Sequence, residues 1–337
     1  MLSVIDSENL DNAPAAAIVG LAGETLTAEE KKLFAEKNPL GFILFARNIK
    51  DEKQVKALIK SLHKCVGRDE VPILIDQEGG RVQRLNEPNW TQYPPARTFG
   101  DQFIENPLDA RNALQKNTAA IAADLTALGF NVNCAPVLDV LIPDTHDVIG
   151  DRAFSTDPSI VAALGGMVAQ EYIKGGIIPI IKHIPGHGRA LADSHDELPV
   201  VDAPYDELKD RDFHPFREVS RSIYADAVWG MTAHVVYTDL DDSLPATCSR
   251  KVVFETIRKD IGFRGFLLGD DVEMNALANI GDLRARQRLA LRAGCDAVLH
   301  CSGNFESMEL MLSETPKMTN DAVLRYNRSI EWFQPVS

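Results

Sequence analysis

Residues 177–199 read Ile-Ile-Pro-Ile-Ile-Lys-His-Ile-Pro-Gly-His-Gly-Arg-Ala-Leu-Ala-Asp-Ser-His-Asp-Glu-Leu-Pro. The run 177–181 is apolar throughout, as suits a strand covered on both faces. It stops at Lys182 and His183. Pro185, Gly186 and Gly188 then break helix and strand alike, so His187, Asp193 and His195 fall on a loop. A loop at the end of a buried strand is a usual seat for binding and catalytic groups.

Seven further apolar runs resemble the first: 16–22, 41–46, 71–76, 130–136, 227–234, 263–270 and 296–301. Helix-period segments lie between most of them, at 52–66, 108–128, 158–174, 205–222, 249–260 and 283–293. Thr27 with Glu30, and Asp157 with Pro158, are helix-start signals. Strands alternating with helices imply βαβ units and a parallel sheet. Eight such units predict an α/β chain closed into a single (β/α)8 TIM-type barrel. The catalytic domain is read as one unit over 1–337, with 1–14 as an N-terminal tail. The stretch 135–157 is long for a connecting loop, which points to function. Residues 320–333 read as a last helix packed on the outside.

A chain of 337 residues suits one large barrel. The net charge of −14 disfavours nucleic acid and anionic membrane surfaces as partners. No run approaches the roughly 18 apolar residues of a membrane span. Residues 1–14 are acidic and lack the features of a signal peptide. The five cysteines show neither disulfide nor metal spacing. Cys134, Cys295 and Cys301 read as buried free thiols. The expectation is a soluble protein of the reducing cytoplasm. It needs no cofactor, and a monomer is the default.

In a parallel barrel the downstream ends of the strands meet at one rim. Here the run 71–76 leads into Asp76-Gln77-Glu78-Gly79-Gly80-Arg81-Val82-Gln83-Arg84. The fifth run ends in Lys182-His183, the sixth at His234, the seventh in Gly269-Asp270-Asp271. Charges are costly to desolvate there unless paired or functional. Each group has a structural explanation alone. Asp76 could cap a Gly-Gly turn, Lys182 and His183 could snorkel, and one of Asp270 and Asp271 could be an N-cap. His234 alone suits a hydrogen-bonded rim residue. Convergence at four strand ends favours a site. His183, His187 and His195 suggest zinc, but zinc-binding pairs at this spacing share a helix face. Pro185, Gly186 and Gly188 exclude a helix, so no metal is expected.

A carboxylate among cations stays ionised. It can attack an electrophilic carbon or stabilise an oxocarbenium ion. Asp193 and His195 form a dyad in which the carboxylate orients the imidazole and favours its protonated form.

The motifs Asp-Gln-Glu-Gly-Gly-Arg-Val-x-Arg, Gly-Asp-Arg-x-Phe, Lys-His-x-Pro-Gly-His-Gly-x4-Asp-Ser-His and x-Asp-Asp-x-x-Met together resemble glycoside hydrolase family 3. More narrowly they resemble its NagZ-type β-N-acetylglucosaminidases of cell-wall recycling. The motifs keep the family's order over most of 15–302. The Lys-His to Asp-Ser-His segment is specific to this branch. The resemblance implies a retaining mechanism on a TIM barrel, with Asp270 as nucleophile and His195 as general acid/base partnered by Asp193. It implies sugar binding by Asp76, Arg84, Arg152, Lys182 and His183. Three positions depart from the pattern: Gly269 replaces a serine, Ile184 a phenylalanine, and Glu273 a common serine.

The implied activity is exo-acting hydrolysis of terminal β-linked GlcNAc. The implied substrate is GlcNAc-1,6-anhydroMurNAc, with or without stem peptide, from peptidoglycan turnover. A β-N-acetylglucosaminide phosphorylase is the alternative in chemistry, because a histidine base repels phosphate less than a carboxylate does. A non-catalytic sugar-binding barrel is the alternative in class. Retention of Asp270, Asp193 and His195 argues against it.

Overall fold

The computed structural model describes residues 2–68, 71–142 and 147–334. Each apolar run supplies one strand. These are β1 (Ala15–Val19), β2 (Pro39–Leu44), β3 (Ile73–Ile75), β4 (Val132–Asn133), β5 (Ile178–Ile184), β6 (Trp229–Thr232), β7 (Leu267–Asp271) and β8 (Ala297–His300). All eight are parallel and close into a barrel. Closure is made between β1 and β8, where Ala17 faces Val298 and Val19 faces His300.

Alternate residues of each strand serve two cores. Ile18, Ile43, Leu74, Ile180 and Leu268 pack together inside the barrel. Val19, Phe42, Ile73, Ile181 and Leu267 pack in the second core, with helix residues such as Leu58, Ile121 and Leu164. Both faces are dry, so the strands read as unbroken apolar runs.

The surrounding helices start where their caps predict. Thr27 opens α1 (Ala28–Lys37): its hydroxyl accepts the Glu30 N–H at 3.1 Å, and Glu30 accepts the Thr27 N–H at 2.8 Å. Asp157 opens a later helix, accepting the Ser159 N–H at 2.8 Å. The outer layer continues with α2 (Glu52–Val66), α3 (Ala96–Glu105), α4 (Pro107–Leu128) and α5 (Pro158–Lys174).

The segment 205–222 is not one helix. It holds a wide-wound π turn, Leu208–Asp212, followed by α6 (His214–Ser220). Pro215 lacks the N–H that would continue a regular ladder. Val252–Asp260 is wide-wound too, with β-branched Val252, Val253, Thr256 and Ile257 all buried on it. The layer ends with α7 (Leu283–Ala293), α8 (Phe305–Glu314) and α9 (Asn320–Glu331).

One expectation is corrected. The last helix does not lie on the outside of the barrel. Tyr326 and Ile330 of α9 join the inner core, and Trp229 at the start of β6 donates from Nε1 to Ser329 Oγ at 2.8 Å. The helix plugs the end opposite the polar rim. Apolar residues lining an open barrel mouth would otherwise face water.

Candidate active site

The polar strand ends do converge. Asp76, Arg84, Arg152, Lys182, His183, His195 and Asp270 line one cavity of about 310 Å³ at the rim. That is near the lower end of small-ligand pockets, about 300–1,000 Å³. Asp193 stands behind His195.

A chain of buried ion pairs forms one wall. Lys182 Nζ lies 2.9 Å from Asp76 Oδ1 and 2.6 Å from Glu78 Oε1. Arg84 donates to the other Asp76 oxygen at 3.1 Å. Arg152 grips Glu78 with a fork of two bonds, 2.9 and 2.8 Å. Burial alone would raise the Asp76 carboxyl, but Lys182 and Arg84 outweigh it and hold it well below the carboxylate range. Burial opposes ionisation of Glu78 too, yet Arg152 and Lys182 bring it down to about 2. Lys182 is no snorkelling lysine. It is buried and fully engaged, and its two carboxylates hold its ammonium charged despite burial.

The loop 135–157 supplies the second wall. Asp139, fully buried, accepts the His183 N–H at 3.1 Å and stands 2.7 Å from His183 Nδ1. It also accepts the His187 N–H at 2.6 Å. Burial works against this charge, and the two histidines bring it down to about 2. The same loop brings Val148, Ile149 and Arg152 to the cavity. Residues 143–146 lie outside the described residues.

The two aspartates ending β7 differ in role. Asp271 caps no helix, since the helical turn that follows starts after Met274; instead it ties the turn after β7, with Oδ1 accepting the N–H groups of Glu273 at 3.1 Å and Cys301 at 3.2 Å. Burial pushes its carboxyl up to about 6. Asp270 faces the cavity. It accepts the Asp271 N–H at 2.8 Å and enters no ion pair among the described residues. Burial raises its carboxyl, but His234, His183 and the Asp271 N–H bring it below the usual range. It is therefore ionised at neutral pH.

His234 is the rim residue its position suggested. Its ring is held between Thr247 Oγ1 at 2.8 Å and the Asp271 carbonyl at 2.9 Å, and burial pushes it toward the neutral form. Gly269 fits this corner, because a Cβ there would stand 3.3 Å from Thr247 Cγ2.

The loop after β5 lies across the rim. His187 Nε2 is 3.1 Å from Ser194 Oγ, and the Ala276 N–H donates to the Ser194 carbonyl at 3.2 Å. His195 Nδ1 stands 2.8 Å from Asp193 Oδ1, as the two-residue spacing predicts. Among the described residues no three His, Cys, Asp or Glu side chains gather as a metal-holding cluster. Cys134 and Cys295 are buried thiols, whereas Cys301 is only half-buried and lines the cavity.

Sequence reasoning missed Glu78, Asp139 and Thr247. Glu78 had a readable signal: it sits in the same motif as Asp76, on a segment bound for the rim.

Residues 12–323 match the glycosyl hydrolase family 3 N-terminal domain. The chain belongs to this family. A β-hexosaminidase of Bordetella avium is 38% identical over 305 residues, covering 90% of this chain and 85% of that protein. A β-hexosaminidase of Idiomarina loihiensis is 34% identical over 313 residues, covering 93% and 92%. Among solved structures, NagZ from Neisseria gonorrhoeae in complex with N-trifluoroacetyl-D-glucosamine superposes with a TM-score of 0.84 at 33% identity, covering 94% of this chain and 90% of that one. As a member of this family the chain is a glycoside hydrolase, a β-N-acetylhexosaminidase that acts on a saccharide. Among the described residues no helix is long and apolar enough to cross a membrane.

Proposed function

We propose that this β-N-acetylhexosaminidase removes terminal β-linked N-acetylglucosamine by a retaining mechanism, with Asp270 as nucleophile and His195, oriented by Asp193, as general acid and base. One observation carries the reading: an ionised carboxylate with no ion-pair partner among the described residues and an Asp-backed imidazole line the same cavity. His195 gives a proton to the leaving oxygen while an Asp270 oxygen bonds to the anomeric carbon and the glycosidic bond breaks. His195 then takes a proton from water, whose oxygen displaces Asp270 and restores the original configuration. Asp76 accepts hydrogen bonds from sugar hydroxyls, and Arg84, Arg152, Lys182 and His183 donate to others.

The proposed substrate is GlcNAc-1,6-anhydroMurNAc from peptidoglycan turnover, with or without its peptide, met in the cytoplasm. Its support is the resemblance of the Lys182–His195 segment to the cell-wall-recycling branch. The chain 1–337 acts as one catalytic unit in this reading. Inactivation with a 5-fluoro N-acetylglucosaminyl donor, followed by peptide mapping, tests it. The label is expected on Asp270, and a label on Asp271 or Glu273 overturns the assignment. Adding inorganic phosphate to turnover assays tests phosphorolysis, the alternative in which phosphate attacks in place of water because a neutral histidine base repels it less than a carboxylate would. Release of N-acetylglucosamine 1-phosphate would identify it.

A further inference from the structure

We infer that Arg189 is a positioning residue for the reaction: it clamps the base of the loop that carries Asp193 and His195, and so holds the dyad over Asp270. The inference rests on the reading of His195 as the acid/base.

Arg189 Nε donates to Asp212 Oδ2 at 2.8 Å, and Nη2 donates to Glu207 Oε1 at 2.9 Å. The Arg189 side chain is only 13% exposed and that of Asp212 only 1%. Exposed ion pairs contribute little. This one has a buried member, which makes its loss costly. Asp212 lies in the wide-wound turn Leu208–Asp212, which packs under the loop: a Cβ on Gly186 would stand 3.1 Å from Asp212 Cβ.

The loop upstream of Arg189 is tightly held. Tyr237 Oη donates to the Gly186 carbonyl at 2.7 Å. Gly188 lies so close to Val140 that a Cβ would sit 1.9 Å from its carbonyl oxygen. Downstream the restraint thins. Leu191 is 71% exposed, so apolar burial does not anchor the chain there. The His195 side chain is 66% exposed, so packing does not fix the imidazole. The chain is next held at Ser194, which is buried between His187 Nε2 at 3.1 Å and the Ala276 N–H at 3.2 Å, while the His195 carbonyl accepts a long bond from the Asn275 N–H at 3.4 Å. Arg189 is thus the charged tie at the point where the loop leaves its packed base. A displacement of about 1 Å in a reacting group can cost about 10²-fold in rate.

The test compares kcat/KM of the full-length wild type, R189M, R189K, H195A and R189M/H195A. Each is assayed on a GlcNAc disaccharide and on an aryl N-acetylglucosaminide with an activated leaving group. This ratio reports only steps up to cleavage, so the activated substrate does not need the acid. R189M is expected to lose on the order of 10-fold or more on the disaccharide and under about 2-fold on the activated substrate. R189K recovers part of the loss. The double variant is expected to match H195A, because a dyad that is already disabled cannot be misplaced further. Equal loss on both substrates, or multiplied losses in the double variant, overturns the inference and leaves Arg189 a structural residue. If R189M does not fold, R189K alone carries the same comparison. If H195A shows no preference for the activated substrate, the acid/base reading itself fails, and Arg189 has no dyad to position.

Discussion

Asp193 holds His195 twice: its Oδ1 accepts the His195 backbone N–H at 2.9 Å and stands 2.8 Å from ring Nδ1. The short spacing makes both bonds with one oxygen, and it leaves Nε2 as the nitrogen available to a leaving group. Replacing His195 by alanine should lower kcat/KM by roughly 10²–10⁴-fold for a poor leaving group and much less for an activated aryl one. Asp193→Asn keeps the side chain's size and should show the same trend more weakly. A leaving-group series measures it. A uniform loss across the series would mean that the dyad shapes the loop rather than donating a proton.

The barrel was legible because its strands are dry on both faces and four of them lead into polar residues at the same rim. Lys182, His183, Asp270 and Asp76 all sit where an apolar run stops. The supporting groups were harder to see, since their partners come from distant segments. Asp139 lies in a loop with no periodicity, and only the fold shows that it serves His183 and His187. Helix α3 was hidden by Gly100, a poor helix former. The structure explains that glycine, because a Cβ would stand 1.7 Å from the Phe154 carbonyl oxygen. Helix α8 did carry its signals, the Asn304 cap and the buried Met308, Met311 and Leu312.

Glu78 should matter as much for folding as for binding. It neutralises Lys182 and Arg152, both nearly inaccessible. Glu78→Gln leaves Lys182, Arg152 and Arg84 to share the single carboxylate of Asp76, a change expected to cost about 3–5 kcal/mol. Urea denaturation at neutral pH measures it. A loss below about 0.5 kcal/mol would mean that water or rearrangement satisfies the cations.

Acid should unfold this enzyme through both walls of the site. Glu78 and Asp139 both titrate at about 2 when folded, below the ordinary values of 4.5 and 3.8. The folded state therefore holds its charge where the unfolded chain takes up protons. Their stabilisation is complete above about pH 4.5 and is lost progressively as pH falls toward 2. Thermal melts between pH 6 and pH 2.5 should show Tm falling through this window. Asp139→Asn should flatten the fall, and an unchanged slope in that variant would remove Asp139 from the account.

Asp271 has the opposite sign. Burial raises its carboxyl to about 6 from an ordinary 3.8, with Asp270 next to it adding to the shift. Ionising it in the folded protein is therefore unfavourable, and the penalty grows as pH rises from about 4 through 6. Asparagine keeps an oxygen for the Glu273 and Cys301 N–H groups without the charge. Asp271→Asn should thus gain on the order of 1 kcal/mol relative to wild type at pH 7.5, and less at pH 5. Its activity should fall far less than that of Asp270→Asn, which removes the nucleophile and should lose several powers of ten. Denaturation at the two pH values, with kcat/KM for both variants, checks the pair. If Asp271→Asn were the more inactive of the two, the turn-tying residue and the nucleophile would have to exchange places.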